Sequence, residues 1–316
     1  MRYVLRADAS QSIGAGHVMR SSAIAEELIA RGEDVVFVGQ ISDVPWLVIR
    51  INTLGFSEIL SEANEFVSNP EKDVLLLDSY ALPVGDDFIQ PHKWRAIVTV
   101  ADELTPAYSA DLIIHPSFSF DLVDMGGVKV LAGAKYIPFR SSIQKIRNIV
   151  EKKPILEILV VGGGTDSTNF VAAICGALTK IQDNFHANIF TNDSALSEID
   201  SRLTVIPIGS ELDDYAMNAD LVFTTASTTS LEFIAREIAV GIGCAVDNQE
   251  EYYFSLSNFG VAAPIGRFIA GNWEMDVSGI SKLVNSQDSR EVLRSKCAGL
   301  VDLEGAQRIV NEIIKL

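Results

Sequence analysis

Cysteine is scarce in this 316-residue chain: Cys175, Cys244 and Cys297 lie far apart and form no C-x-x-C pair. That spacing argues against a disulfide framework or a structural zinc site and matches a reducing compartment, so a cytoplasmic location is expected. Histidine is nearly as scarce, with four residues. His92, His115 and His186 show no metal-ligand spacing with acidic neighbours and read as structural or exposed. Positive charge is also short. The 25 Lys+Arg against 42 Asp+Glu leave a formal net charge of −17, which excludes a broad basic surface for nucleic acid but not a small pocket for one nucleotide. No uninterrupted apolar run reaches the ~18 residues of a membrane span. The opening segment MRYVLRADAS lacks the continuous apolar stretch of a signal peptide. H-E-x-x-H, G-x-S-x-G and the lysine of G-x-x-x-x-G-K-[ST] are all missing, so zinc hydrolysis, acyl-enzyme chemistry and a P-loop are unsupported. No D-x-D metal pair is evident, so no cofactor or metal is expected.

Apolar residues are plentiful, at 48% against 21% charged, enough for large cores. The length is roughly twice a ~150-residue domain, so two domains are expected. Short apolar runs at Tyr3–Arg6, Val35–Val38, Val74–Leu77, Ala96–Val100, Leu112–Ile114 and Val128–Leu131 read as strands covered on both faces. Between the first two, Val18, Ile24, Leu28 and Ile29 recur at helical spacing, and Gly32 stops the helix. Strand, helix, strand means a parallel βαβ unit. The second half repeats this grammar. Its strands are expected at Glu157–Val161, Ala187–Phe190, Val205–Ile208, Leu221–Thr224 and Gly241–Val246. Its helices are expected at Thr168–Ile181, Leu212–Asn218, Ser230–Ile238, Glu250–Phe259 and, to close the chain, Gly305–Leu316. The polar segment 141–154 reads as a linker between an N-terminal domain, 1–140, and a C-terminal domain, 155–316. Two Rossmann-like α/β halves facing a central cleft suggest the GT-B architecture. A bilobal fold like that of periplasmic binding proteins is the runner-up.

In open α/β sheets ligands bind at the carboxyl ends of strands, so chemistry should lie in the loops there. In Ile13-Gly14-Ala15-Gly16-His17 the glycines allow a close ligand approach and set His17 at a helix start. The local field there favours a neutral imidazole able to act as a base; a helix cap or an exposed ring is the competing reading. As a dinucleotide fingerprint the loop fails, because Met19 stands where the third glycine belongs. Gly162-Gly163-Gly164-Thr165-Asp166 precedes a helix and offers backbone N–H groups to a phosphate, or is a plain strand–helix turn. Thr224 through Ser230 form a hydroxyl-rich run before another helix, with Glu232 in its first turns. Ligand binding and a capping box compete there. Asn248 and Gln249 offer amides to a sugar. Tyr80, after Asp78-Ser79, either donates to a sugar or leaving oxygen or packs. Asp102-Glu103 occupies a similar strand end.

Arg6-x-Asp8-x-Ser10 and Ile13-Gly14-x-Gly16-His17-Val18-Met19-Arg20 together resemble the opening signature of the UDP-sugar hydrolases of pseudaminic acid biosynthesis and the related spore-coat polysaccharide proteins, which have GT-B folds. The likeness continues through Asp78-x-Tyr80, Asp102-Glu103, Gly163-Gly164-Thr165-Asp166, Ser230 to Glu232, Asn248-Gln249 and Gly305-Ala306-x-Arg308-Ile309-Val310. It implies a catalytic role for His17, with Tyr80 against the sugar or diphosphate. It places Gly163, Gly164, Thr165, Thr228, Thr229, Ser230 and Glu232 on the nucleotide, and Asp8, Gly14, Gly16, Asn248 and Gln249 on the sugar. Three departures stand out. Ser79 replaces the family's His. Ile137-Pro138-Phe139-Arg140 replaces its Ala-Leu-Leu-Arg. Hydroxyl residues replace the glycine of the serine-rich helix start. The resulting expectation is an inverting, metal-independent glycosyltransferase of surface-glycan synthesis. Its donor would be a CMP-nonulosonic (pseudaminic-type) or UDP-linked sugar, and its acceptor a glycan or protein hydroxyl. The alternative is the hydrolase itself, with water as acceptor and UDP released. A non-catalytic sugar-nucleotide-binding protein is a third reading.

Overall fold

The structure, a computed structural model, describes residues 1–79, 82–83, 85–102, 109–118, 127–143 and 154–316. Tyr80, Glu103 and most of the expected linker lie outside the described residues. The chain divides into two units, Met1–Ser141 with Asp302–Leu316, and Ser142–Val301.

In the first unit the chain runs β1 (Arg2–Ala7), α1 (Gly16–Ala30), β2 (Asp34–Val38), α2 (Pro45–Thr53), β3 (Glu58–Leu60), β4 (Asp73–Asp78), β5 (Ala96–Val100), β6 (Leu112–His115) and β7 (Lys129–Ala132). These strands form one sheet in the order β3-β2-β1-β4-β5-β6-β7, with every pairing parallel. Alternation along β1 and β4 explains their unbroken apolar runs. Tyr3, Leu5, Val74 and Leu76 join a core with α1 and α2 on one face, while Val4, Leu75 and Leu77 meet Phe66, Phe88 and Trp94 on the other. Phe66 stacks on Trp94 with ring centroids 5.9 Å apart, and the indole N–H of Trp94 donates to the Phe88 carbonyl at 2.7 Å.

The second unit follows with β8 (Leu156–Val161), α3 (Phe170–Leu178), β9 (Phe185–Phe190), β10 (Leu203–Ile206), α4 (Leu212–Ala216), β11 (Leu221–Thr225), α5 (Thr228–Ala235), β12 (Ala239–Cys244), α6 (Glu250–Phe259), β13 (Ala263–Ile269), β14 (Asn272–Met275), α7 (Val277–Asn285) and α8 (Gln287–Cys297). Its sheet, β10-β9-β8-β11-β12-β13-β14, is parallel except for the terminal β13–β14 hairpin. The sequence reading missed that hairpin, as well as α2, β3, α7 and α8. The paired strand β13 carries Pro264, Gly266 and Arg267, which interrupt its apolar pattern.

The last helix, α9 (Gly305–Ile313), corrects the expected domain boundary. Instead of closing the second half, as a domain 155–316 requires, the chain returns at Asp302 to the first unit. Ile309, Val310 and Ile313 enter the core that holds Tyr3, Val18 and Leu28. These residues repeat at i, i+1 and i+4, so α9 carries one apolar stripe and needs a partner for it. Gly305 makes the fit possible: a Cβ there would stand 2.0 Å from the Ile137 carbonyl oxygen. Ile137 is buried beneath it. The Gly305→Val substitution is therefore expected to destabilise the first unit by about 1–3 kcal/mol through overpacking. Denaturant unfolding followed by hydrogen exchange should show early opening of α9, α1 and β1, with β8 and β11 unchanged.

Candidate active site

Both sheets reverse their strand order once, between β1 and β4 in the first unit and between β8 and β11 in the second. Such switch points open crevices at the carboxyl ends of strands. Four of the loops singled out in the sequence, those after β1, β4, β8 and β11, flank these two positions.

At the first, β4 ends on Asp78, whose side chain is 1% exposed. Its register partner on β1 is Ala7, so Asp8 and Ser79 emerge side by side. Helix α1 starts at Gly16 and projects His17, Arg20 and Ser21 at i, i+3 and i+4, hence from one face. All three reach Asp78. His17 Nδ1 lies 2.7 Å from Oδ1. Arg20 donates from Nε to Oδ2 and from Nη2 to Oδ1, both at 2.7 Å. The Ser21 hydroxyl donates to Oδ2 at 2.5 Å. Arg20 Nη1 also pairs with Asp102, beyond the end of β5. Alongside, the Ser79 hydroxyl donates to Asp8 at 3.1 Å, the backbone N–H of Gln40 donates to Asp8 at 2.9 Å, and Arg6 pairs with the same carboxylate.

Burial alone would push the Asp78 carboxyl up. The Arg20 cation and the His17 ring outweigh it and hold Asp78 well below the usual carboxylate range. Asp78 is therefore ionised and can only accept, which places the proton of a neutral His17 on Nδ1 and leaves its Nε2 lone pair as the base. From the sequence, the helix N-terminus is what keeps the His17 ring neutral. The structure adds a buried carboxylate that fixes the tautomer and stabilises an imidazolium when one forms. The sequence assigns Arg20 and Ser21 no role of their own, although the 17/20/21 spacing carries the signal, and it marks Asp102 only as a strand-end residue. Gly14 sits at φ +84° with its N–H bonded to the Ser10 carbonyl at 2.8 Å, closing a tight turn before α1. Asp8 is 8% exposed and bonded throughout, so its oxygens brace the loops of β1 and β4.

The second switch point separates the predicted phosphate loops. Gly163, at φ +84°, comes within reach of Thr225: an added Cβ would lie 3.6 Å from the Thr225 hydroxyl. The Asp166 carboxylate takes the first two amides of α3, from Phe170 at 2.8 Å and Val171 at 3.3 Å. That helix start is already occupied by an internal carboxylate, which leaves the amides of the preceding glycine loop as the more accessible donors. Helix α5 differs: Ser227, at its N-cap, makes no side-chain cap. The capping box that competed with ligand binding there is not formed, and Glu232, one turn further in, is half-buried. The hydroxyl run also divides. Thr224 and Thr225 are buried at the end of β11, and Ser230 is buried with its hydroxyl donated to the Ser227 carbonyl at 2.7 Å. Ser227, Thr228 and Thr229 are left half-buried at the helix start. After β12, Gln249 uses its side-chain oxygen to accept from the Ala245 N–H at 3.0 Å, and Asn248 is exposed. His115 binds the Ala101 carbonyl at 2.9 Å, and His186 bridges Glu157 and Thr204, both at 2.9 Å, in line with structural roles.

Burial raises the Asp166 carboxyl to about 6 from 3.8, against the two amides that lower it. The folded state thus holds a proton that the unfolded state lacks between those values. The stability this provides is full below about 3.8 and is lost as pH rises through about 6. Thermal melts of the native protein should show that decline, and an Asp166→Asn protein should lack it.

No family model matches the chain. It is 25% identical over 193 residues to UDP-2,4-diacetamido-2,4,6-trideoxy-beta-L-altropyranose hydrolase of Campylobacter jejuni, covering 57% of this chain and 66% of that one. An uncharacterized protein of Methanocaldococcus jannaschii is 23% identical over 283 residues, covering 80% and 57%. The chain thus spans two thirds or less of the length of both relatives. Among solved structures, MurG of Acinetobacter baumannii superposes with a TM-score of 0.68 at 14% identity, covering 100% of both chains. The spinosyn forosaminyltransferase SpnP gives 0.68 at 12% identity, again covering 100% of both. Two parallel-sheet α/β units with these likenesses make the fold GT-B.

Proposed function

We propose that this protein is a nucleotide-sugar-dependent enzyme that moves a glycosyl group from a nucleotide to an oxygen nucleophile, with inversion at the anomeric carbon. The observation that carries this reading is the buried His17–Asp78 pair at the switch point of the first sheet. His17 Nε2 takes the proton of the acceptor O–H. The acceptor oxygen attacks the anomeric carbon, and the bond from that carbon to the phosphate oxygen breaks. Its electron pair leaves with the nucleotide. Asp78 stabilises the imidazolium produced, and general-base help of this kind contributes about 10²–10⁴-fold. The departing phosphate needs fixed dipoles, not mobile charge. The start of α5, which the Ser227 side chain does not cap, with Ser227, Thr228 and Thr229, and the amides of Gly163 and Gly164 are the groups suited to that task. Glu232, Asn248 and Gln249 belong on the nucleotide and sugar in this proposal. No metal enters it.

For the acceptor we favour a glycan or protein hydroxyl, which makes the protein a glycosyltransferase. Ser79 supports this: where the resembled hydrolases carry His, a buried hydroxyl is spent on Asp8. The change at Ile137-Pro138-Phe139-Arg140 lends less support than the sequence suggested, because Ile137 and Phe139 are core residues and Ile137 seats Gly305. A second reading rests on the Campylobacter relative, which acts as a UDP-sugar hydrolase; water would then be the acceptor. The donor we propose is CMP-linked in the first case, a nonulosonic acid of pseudaminic type, and UDP-linked in the second.

Incubation with the UDP-2,4-diacetamido-trideoxyhexose alone separates the two. Transfer predicts negligible UDP release without an acceptor, and rapid release establishes hydrolysis. Thermal shifts with CMP, UDP, GDP and TDP should show a preference for CMP under the first reading and for UDP under the second; no response to any of them refutes nucleotide binding. His17→Ala is expected to lower kcat by about 10²–10⁴-fold with little change in nucleotide affinity. Full activity in that variant removes His17 from the base role.

A further inference from the structure

We propose that Arg20 is a positioning residue that divides the charge of Asp78 between His17 and Asp102, and thereby sets how strongly His17 holds its second proton. Three features of the geometry carry this. First, Arg20 faces Asp78 with two donors, Nε to Oδ2 and Nη2 to Oδ1, both at 2.7 Å. It therefore competes with His17 Nδ1 for the same Oδ1, which is also 2.7 Å away. Second, the guanidinium stands beside the ring itself, with Nη2 3.2 Å from His17 Nδ1. An ionised Asp78 gives that nitrogen the hydrogen, so the two face each other as donor to donor, a cation next to an incipient cation. Third, Nη1 of the same guanidinium pairs with Asp102, which draws part of its charge away.

A histidine with an unshared buried carboxylate binds its proton tightly and is a poor base at neutral pH, because it stays protonated. A bidentate arginine on that carboxylate counters this, and a second carboxylate on the arginine tempers the correction. Among the described residues, the charged groups around His17 come from the strand ends near the switch point and from its own helix. Arg20 lies on α1 and Asp78 on β4. Asp102 follows β5. The Arg6–Asp8 pair, at the end of β1, touches Ser79 next to Asp78. Arginine suits this position better than lysine because its planar fork serves two carboxylates at fixed angles at once. The side chain is 5% exposed, so solvent screens little of it.

The kinetic consequence rests on the assignment of His17 as base. The proton affinity of the ring does not, and NMR titration reads it without turnover. The chain has four histidines, and a His17→Asn protein identifies the relevant signal by its loss. Arg20→Gln is expected to raise the His17 midpoint by about one pH unit or more, since an opposite charge then faces the ring unshared. Asp102→Asn is expected to lower it, because Arg20 then acts undivided. The acid limb of the kcat/KM profile should move by the same amounts. Arg20→Lys should fall between the native protein and Arg20→Gln, and it replaces Arg20→Gln in the comparison if the glutamine variant does not fold. A rise in the arginine variant together with a fall in the Asp102 variant supports the proposal, and the reverse pair of movements overturns it. An unmoved midpoint in either one, or movement of both in one direction, overturns it. If the midpoints move as expected while His17→Ala remains fully active, the charge division stands and the proposed base role fails.

Discussion

One buried carboxylate organises the first unit's site. Asp78 ends β4 in a position that water cannot reach, and an ion there is tolerable only if its oxygens are filled. Arg20, Ser21 and His17 fill them from a single face of α1. The same contacts tie α1 to β4 and orient the imidazole, so the scaffold and the proposed base share one set of bonds. Breaking such a pair from one side typically costs about 3–5 kcal/mol. Stability and chemistry at this site therefore cannot be separated cleanly by deleting Asp78, whereas replacing His17 leaves the Arg20–Asp78 fork in place.

The two helix starts of the second unit resolve a choice that composition left open. Both follow strands at a switch point, and both looked suited to an anion. Helix α3 satisfies its own first amides with Asp166, whereas α5 does not cap itself with Ser227. A helix that already holds a carboxylate has used the dipole and the donors that would attract a phosphate. In the proposed function this asymmetry favours Ser227, Thr228 and Thr229 over the start of α3 as the place for an anionic ligand. A net charge of −17 is compatible with that proposal, because oriented amides and hydroxyls supply local positive potential without a full positive charge.

The last residues show what packing adds to local pattern. A closing helix over Gly305–Leu316 was legible in the sequence, and Ile309, Val310 and Ile313 form its buried stripe. Which sheet the stripe would cover depends on where the Ile137 carbonyl lies, since a Cβ on Gly305 would collide with it. Contact with a residue so distant in sequence leaves no periodicity to read.

What the sequence determined by itself was the grammar. Continuous apolar runs separated by amphipathic segments required parallel strands covered on both faces, and glycines or hydroxyls after strands marked the loops at their carboxyl ends. His17 stood out because it was rare and flanked by glycine. The tertiary structure decided the partners. Arg20 and Ser21 became part of the site because β4 runs beside β1, and Asp102 because β5 runs beside β4. Asp166 became a cap instead of a bystander, and Ser230 turned inward. Local propensity sets which backbone each segment adopts. Which charges meet, and which amides remain open, follows only from strand order, because hydrogen bonds and ion pairs act over a few ångströms between residues tens of positions apart.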